Sequence, residues 1–223
     1  SFPLSDKRQS GFLIPSFGTS GDSGSTYSVP YYFNLADNYD ATLKITSLSE
    51  RGVLLDNEFR YLGGRSSSLI NFSYLENDDK YGEDRYSYSF KDSRSVINTI
   101  NTLKSNTSGL SINSEVSYNR VSDLKYFDDF GNSLSTVSQS SVKRELRLYG
   151  ERFGKNGILN YELSSLSYQP SQTGVSDQYQ TIPSLKLNYA SFVSNNSYQY
   201  KLKASIDKFK HKDNSLTEGT RYL

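Results

Sequence analysis

From Ser10 to the C-terminal residue, apolar and polar side chains alternate, and that period constrains the fold more than anything else in the chain. In 110–118 the residues Leu110, Ile112, Val116 and Tyr118 fall on one side and Ser111, Asn113, Glu115 and Ser117 on the other. In 182–191, Leu185, Leu187 and Tyr189 oppose Ser184, Lys186 and Asn188. In 198–207, Tyr198, Tyr200, Leu202, Ala204 and Ile206 oppose Gln199, Lys201, Lys203, Ser205 and Asp207. A period of two belongs to strands with one apolar and one polar face. No segment shows a convincing helical period, and no run approaches the roughly 18 apolar residues of a membrane-spanning helix. A helical membrane protein is excluded. A β-barrel is not, because its strands alternate lipid-facing and lumen-facing residues.

About twelve such segments follow one another, near 10–19, 25–35, 40–50, 53–62, 66–76, 85–94, 109–120, 137–153, 157–169, 179–192, 197–209 and 218–223. Many reach about ten residues, the length a tilted strand needs to cross a bilayer. Strands of soluble sheets average about five or six. The stretch 95–108 reads either as a strand extension or as a short helix. Tight turns are expected at Gly21–Gly24, Ala36–Tyr39, Arg51–Gly52, Gly63–Arg65, Gly154–Gly157 and Val193–Ser197. Longer polar loops are expected at Glu76–Asp84, Val121–Thr136, Pro170–Gln178 and Lys210–Thr217. From the fourth strand onward short and long links largely alternate, as they do between the two sides of an outer-membrane barrel. Propellers, solenoids and sandwiches share the same alternation, but no repeat of fixed period supports the first two. Strand length, scarce alanine and loop asymmetry favour an all-β antiparallel meander of about twelve long strands, part of a large outer-membrane β-barrel.

One hairpin departs from the pattern. Residues 7–35 alternate like two strands, yet each arm carries a proline, Pro15 and Pro30. Proline has no N–H to give a ladder, so it is expected at an edge, a strand start or a bulge. Two in consecutive strands predict a sheet margin that pairs weakly.

The residue types that carry chemistry are sparse. There is no cysteine, so neither a disulfide framework nor a thiolate site can form within these residues. His211 is the single histidine and reads as a solvated loop residue; alone it makes neither a zinc site nor a His-based triad. The acidic loops at Glu76–Asp84 and Asp123–Asn132 have oxygen ligands suited to calcium but lack the EF-hand spacing, and read as solvated loop charge. No pair of carboxylates stands out for glycoside chemistry, and the Asn-x-Ser/Thr triplets at Asn71, Asn106 and Asn195 are ordinary in a serine-rich chain. A net charge of +1 gives no footprint for nucleic acid. No catalytic residue, metal or cofactor is expected. In 142–152, Val142, Arg144, Leu146 and Leu148 alternate with Lys143, Glu145, Arg147, Tyr149 and Glu151, so the mixed-charge face is expected to look into water.

Several ordered words resemble the barrel domain of the lipopolysaccharide-assembly outer-membrane family LptD, also called OstA or Imp. They are DKRQSGFLIPSFG (6–18), VPYYFNLADNYDATL (29–43), RG (51–52), EFRYL (58–62), RVSDLKYFDDFGN (120–132), YQTIPSLKLNY (179–189) and EGTRYL (218–223). The resemblance implies that residues 1–223 are the N-terminal portion of a transmembrane barrel domain. On that reading 1–9 are a linker from a missing periplasmic jelly-roll and 10–35 are a gate hairpin. It further implies that lipopolysaccharide leaves sideways between the first and last strands. The expected gate residues are Pro15 and Pro30, with Phe12, Phe17, Gly11 and Gly18 around them. An LptE-type lipoprotein plug and, through the jelly-roll, an LptA-type periplasmic bridge are the implied partners. About twelve strands are about half of that family's barrel, and the closing strand is not among them. A diffusive porin or receptor barrel and a soluble β adhesin or binding module are the competing readings.

Overall fold

Side chains of alternating character can satisfy two solvents only if the strands lie side by side in one layer, and this is how the chain folds. The computed structural model describes residues 8–76, 78–80, 93–107 (backbone course only), 110–130, 140–192 and 199–223. Among the described residues thirteen strands form one antiparallel sheet. They are β1 (Gly11–Phe12), β2 (Ser16–Ser20), β3 (Gly24–Ala36), β4 (Tyr39–Leu48), β5 (Gly52–Leu62), β6 (Ser66–Glu76) and β7 (Ser93–Thr107). There follow β8 (Leu110–Val121), β9 (Ser141–Phe153), β10 (Gly157–Pro170), β11 (Gln180–Ser191), β12 (Lys201–Lys210) and β13 (Gly219–Tyr222). A five-residue helix, α1 (Tyr126–Phe130), lies between β8 and β9. Each strand from β3 onward pairs with the next in sequence, while β1 and β2 both pair with β3. The order is a meander, as the alternation predicts, with β1/β2 at one edge and β13 at the other.

Two boundaries differ from the sequence reading. The expected first strand, 10–19, is broken into β1 and β2 by Leu13–Pro15. The ambiguous stretch 95–108 is strand: β7 runs over 93–107 and pairs with both β6 and β8. Its Val96, Ile97 and Ile100 imitate a helical spacing, but a run rich in β-branched residues prefers the pleated backbone. Of the predicted strand 85–94, residues 85–92 lie outside the described residues. So do 1–7 of the expected linker, the whole expected turn at Val193–Ser197, and parts of the two long loops before β7 and β9.

Register assigns the faces. Tyr39 stands opposite Tyr61, Ala41 opposite Phe59, and Ile45 opposite Leu55, on one side of the sheet. Asp40 stands opposite Arg60, Thr42 opposite Glu58, and Lys44 opposite Asp56, on the other. The same division continues across the far strands, with Leu163, Leu185 and Ile206 in one row and Glu162, Lys186 and Ser205 in its neighbour. Among the described residues nothing packs on the middle of the apolar side. Ile45, Leu146, Leu163 and Leu202 are all exposed. Aliphatic residues hold the middle of this face. Aromatic residues flank them, with Phe33, Tyr39, Phe59, Tyr61 and Tyr189 towards one end and Tyr27, Phe72, Tyr74 and Tyr118 towards the other. A band of this kind is how a barrel wall meets lipid.

The polar side carries ion pairs between neighbouring strands. Arg60 makes a two-pronged contact with Asp40 at 2.7 and 3.0 Å. Lys44 meets Asp56 at 2.8 Å, and Glu162 receives both Arg147 at 2.8 Å and Lys186 at 3.0 Å. Two small apolar clusters lie at the end where the long loops are, the first wholly on this side and the second joining Val121 of this side to Val142, which alternates into the row of Leu146. One joins Leu48, Leu54 and Leu75, the other Val121, Tyr126, Phe127 and Val142, and Phe130 of α1 packs against both. α1 therefore lies over the polar face through Phe130, with Leu48, Leu54 and Leu75 beneath it.

The edge hairpin as candidate functional site

The hairpin β1/β2–β3 is where the ladder is incomplete. β1 pairs Gly11 with Tyr32 and Phe12 with Tyr31. β2 resumes with Ser16 opposite Ser28 and continues to Ser20 opposite Gly24. Three edge residues, Leu13–Pro15, thus stand opposite two, Val29 and Pro30. Both prolines fall in this one gap, although they are fifteen positions apart in sequence.

Pro30 acts on one side only. Leu13 donates its N–H to the Pro30 carbonyl at 2.9 Å. In an antiparallel ladder a residue's N–H and C=O point the same way, so the bare nitrogen of Pro30 also faces the edge. Leu13 and Pro30 would otherwise exchange two bonds and here make one. Towards β4 the register is unbroken, with Val29 opposite Ile45, Pro30 opposite Lys44 and Tyr31 opposite Leu43. The contrast is Pro183 in β11, around which the pairing shifts towards both β10 and β12. Pro183 bends a strand inside the sheet, whereas Pro30 loosens the hold on a margin.

The edge is apolar on its outward side. Phe12 meets Tyr31 edge-on at 4.9 Å, Phe17 lies 4.8 Å from Tyr27, and Tyr31 lies 4.6 Å from Phe33. Phe12, Ile14 and Phe17 are each more than three-quarters exposed. On the other side the paired edge residues are small: Gly11, Ser16, Gly18 and Ser20. A Cβ on Gly18 would come within 2.9 Å of the Thr26 hydroxyl, and one on Gly11 would meet nothing. All six predicted residues are therefore in one hairpin, with Gly11, Phe12, Phe17 and Gly18 in the pairs on either side of the gap.

Beyond the gap, towards the chain's start, the edge is held by side chains. The Asn34 N–H donates to Ser10 Oγ at 2.8 Å, the Asn34 side-chain amide to the Arg8 carbonyl at 3.0 Å, and Arg8 reaches Asp40 at 3.3 Å. The other end of the hairpin is held differently. Arg51, in the turn between β4 and β5, is buried and donates Nε–H to the Asp22 carbonyl at 2.8 Å. Its two terminal nitrogens meet Asp78 at 2.8 Å and Asp129 at 2.9 Å. The Phe130 ring lies 5.2 Å from the same guanidinium. Lys80 adds a contact of 3.0 Å to the Asp22 carboxylate, holding that carboxyl below its usual range.

Sequence reasoning did not find this cluster, and it corrects the reading of the acidic loops. Asp78 is fully buried against a guanidinium, so it is not solvated charge. Among the described residues no group of three or more His, Cys, Asp or Glu side chains is arranged to hold a metal. The signal available was the arginine at a tight turn beside two acidic loops, but no spacing rule connects positions 51, 78 and 129. His211 likewise is tied in place: Nδ1 accepts the Asp213 N–H at 3.0 Å, which leaves Nε2 to donate to the Asp177 carbonyl at 2.9 Å.

Comparison with known proteins agrees with the geometry. The family model described as LptD, LPS transport system D, matches residues 83–222. The LPS-assembly protein LptD of Nitrosomonas eutropha is 34% identical over 99% of this chain, and that of Thiobacillus denitrificans 35% over all of it. The corresponding protein of Pseudomonas aeruginosa is 37% identical over 82%. The chain spans 29%, 28% and 19% of the length of these relatives, respectively. On the matched length of the family model and these identities, the chain belongs to the LptD family.

Proposed function

We propose that this chain is the first part of the wall of a lipopolysaccharide translocon in the outer membrane of a Gram-negative bacterium, and that its β1/β2 edge is one side of a lateral gate. The observation that carries the reading is the gap at Leu13–Pro15, where Pro30 turns its bare nitrogen towards the edge alone. A net 0.5–1.5 kcal/mol or so is lost with each missing ladder bond, enough to favour local parting without unfolding a barrel. A saccharide passing through the gap would slide along the small residues Gly11, Ser16 and Gly18. The acyl chains would remain on the outward side with Phe12 and Phe17. Such work is transport, not catalysis. A jelly-roll preceding these residues would receive lipopolysaccharide from an LptA-type bridge, and an LptE-type plug would fill the lumen.

A diffusive porin would have its prolines mid-wall with continuous pairing on both sides, and a soluble module would cover its apolar face. The edge position of the gap and the bare aromatic-flanked band support the translocon over both. The test is a disulfide lock in the full-length protein. Cysteines replacing Phe12 or Phe17 are oxidised to partners on the closing strand, and lipopolysaccharide reaching the cell surface is measured. Export should stop when locked and return on reduction. Undiminished export through a locked seam would remove the gate.

A further inference from the structure

The edge hairpin is fastened unequally at its two ends. Towards the loops, the β2–β3 turn is reached by Arg51 and Lys80. Arg51 joins three separate segments at once: the turn through the Asp22 carbonyl, the loop after β6 through Asp78, and α1 through Asp129 and Phe130. Its side chain is 3% exposed. The Asp79 N–H donates to the Arg51 carbonyl at 3.3 Å, so backbone and side chain bind the same loop. Lys80 reaches the Gly21 and Asp22 carbonyls. Towards the chain's start, the charged fastening is the Arg8–Asp40 contact, whose arginine is 60% exposed. Salt screens an exposed pair strongly and a buried one little.

We propose that Arg51 is a positioning residue, a clasp that pins the loop-end half of the edge hairpin to the loop cap and so confines parting of the edge to residues 8–15. This rests on the seam reading above and specifies where the seam gives way. The planar guanidinium matters because it presents donors in several fixed directions. A lysine ammonium at the same place is a point charge and cannot span the turn, the loop and the helix together. The clasp also gives the short turns Gly21–Gly24 and Arg51–Gly52 a reason to sit at the crowded end of the sheet: they are what the long loops fasten down.

The test is amide hydrogen exchange on the full-length protein in nanodiscs without lipopolysaccharide, comparing wild type with Arg51→Ala, Arg51→Lys and Asp129→Asn. In wild type, residues 16–20 should exchange at least tenfold more slowly than 10–14. Raising salt from about 0.1 to 1 M, which shortens the Debye length from about 10 to 3 Å, should speed exchange at 10–14 more than at 16–20, where Lys80–Asp22 is exposed but the Arg51 anchor is buried. Arg51→Ala should speed exchange at 16–20 by tenfold or more and leave the middle of β4 and β5 unchanged, with Arg51→Lys intermediate. Exchange at 16–20 within twofold of wild type in Arg51→Ala would overturn the clasp, as would loosening spread evenly through β4–β6. Should Arg51→Ala not fold, Asp129→Asn removes one anchor and should still raise exchange at 16–20 about threefold; no change there overturns the proposal too. The seam lock separates the two ideas. A clasp effect with export insensitive to the lock defeats the gate alone, and export blocked by the lock with no clasp effect defeats the clasp alone.

Discussion

A proline inside a sheet removes one donor, and the direction of its carbonyl decides which neighbour loses it. At Pro30 that neighbour is the edge, because Leu13 N–H is the group that finds the Pro30 carbonyl. Pro30→Ala restores the donor opposite the Leu13 carbonyl without touching the β4 ladder. It should strengthen the edge by about 0.5–1.5 kcal/mol, slow amide exchange at Leu13 by a matching factor of about 2–12 and, on the gate proposal, reduce lipopolysaccharide export by the full-length protein. Unchanged exchange at Leu13 would show that the bare nitrogen is not what weakens the edge. The turn at Asp22 answers to pH instead. The Lys80 hydrogen bond and charge lower the Asp22 carboxyl from its ordinary value of 3.8. A depressed folded pKa means the pair contributes fully above the ordinary value and is lost as pH falls through the lowered one. A spin label at Gly21 should therefore become more mobile as the pH falls from neutral to well below 3.8. In Lys80→Ala the acid-induced change should shrink, and an equal change in both proteins would mean that another group governs the turn.

Strands here are joined by more than backbone pairing. Gly150 of β9 stands opposite Ile112 on one side and Tyr161 on the other. Tyr161 lies across the glycine and donates its hydroxyl to the Ser111 carbonyl beyond it. A Cβ at position 150 would collide with that carbonyl and come within 2.6 Å of the tyrosine oxygen. An aromatic ring covering a strand glycine is a known way to recover packing where no side chain exists. Gly150→Ala should cost about 1–3 kcal/mol through overpacking, read as a lower urea midpoint in detergent; full stability would mean that the strands shift freely at this point. Nothing in the sequence pairs Tyr161 with Gly150, since the contact depends on the register of three strands. The strands themselves were legible, because a period of two is written locally. The prolines were legible as a weak margin for the same reason. The break of the first strand, the direction of Pro30 and the buried Arg51 were not. Each depends on which residue lies opposite in a neighbouring strand or loop, and side-chain alternation carries no such record. β7 was obscured in another way: its β-branched residues fall at spacings that suit either period.

A single sheet layer with one bare apolar face cannot be at rest in water. Burying a face of this kind normally takes a second layer, and among the described residues the buried apolar clusters lie at the loop end, leaving the middle of this face bare. Lipid is the solvent that matches the exposed face, and water in a lumen matches the face lined by Arg60, Lys44 and Glu162. Among the described residues the sheet also has two open edges, which a barrel closes with further strands, in keeping with relatives more than three times as long as the stretch they share with this chain. The placement is testable by moving one charge between faces. Ile45 lies on the apolar side between Val29 and Leu55. Thr42 lies on the polar side between Tyr32 and Glu58. In the full-length protein folded into bilayers, Ile45→Arg should cost about 2–4 kcal/mol, the penalty for a charge against the middle of the membrane. Thr42→Arg gains Glu58 as a neighbour in water and should stay within about 0.5 kcal/mol of wild type. Equal costs at the two positions would mean that neither face meets lipid, and the sheet would then need a second layer of protein to cover Ile45.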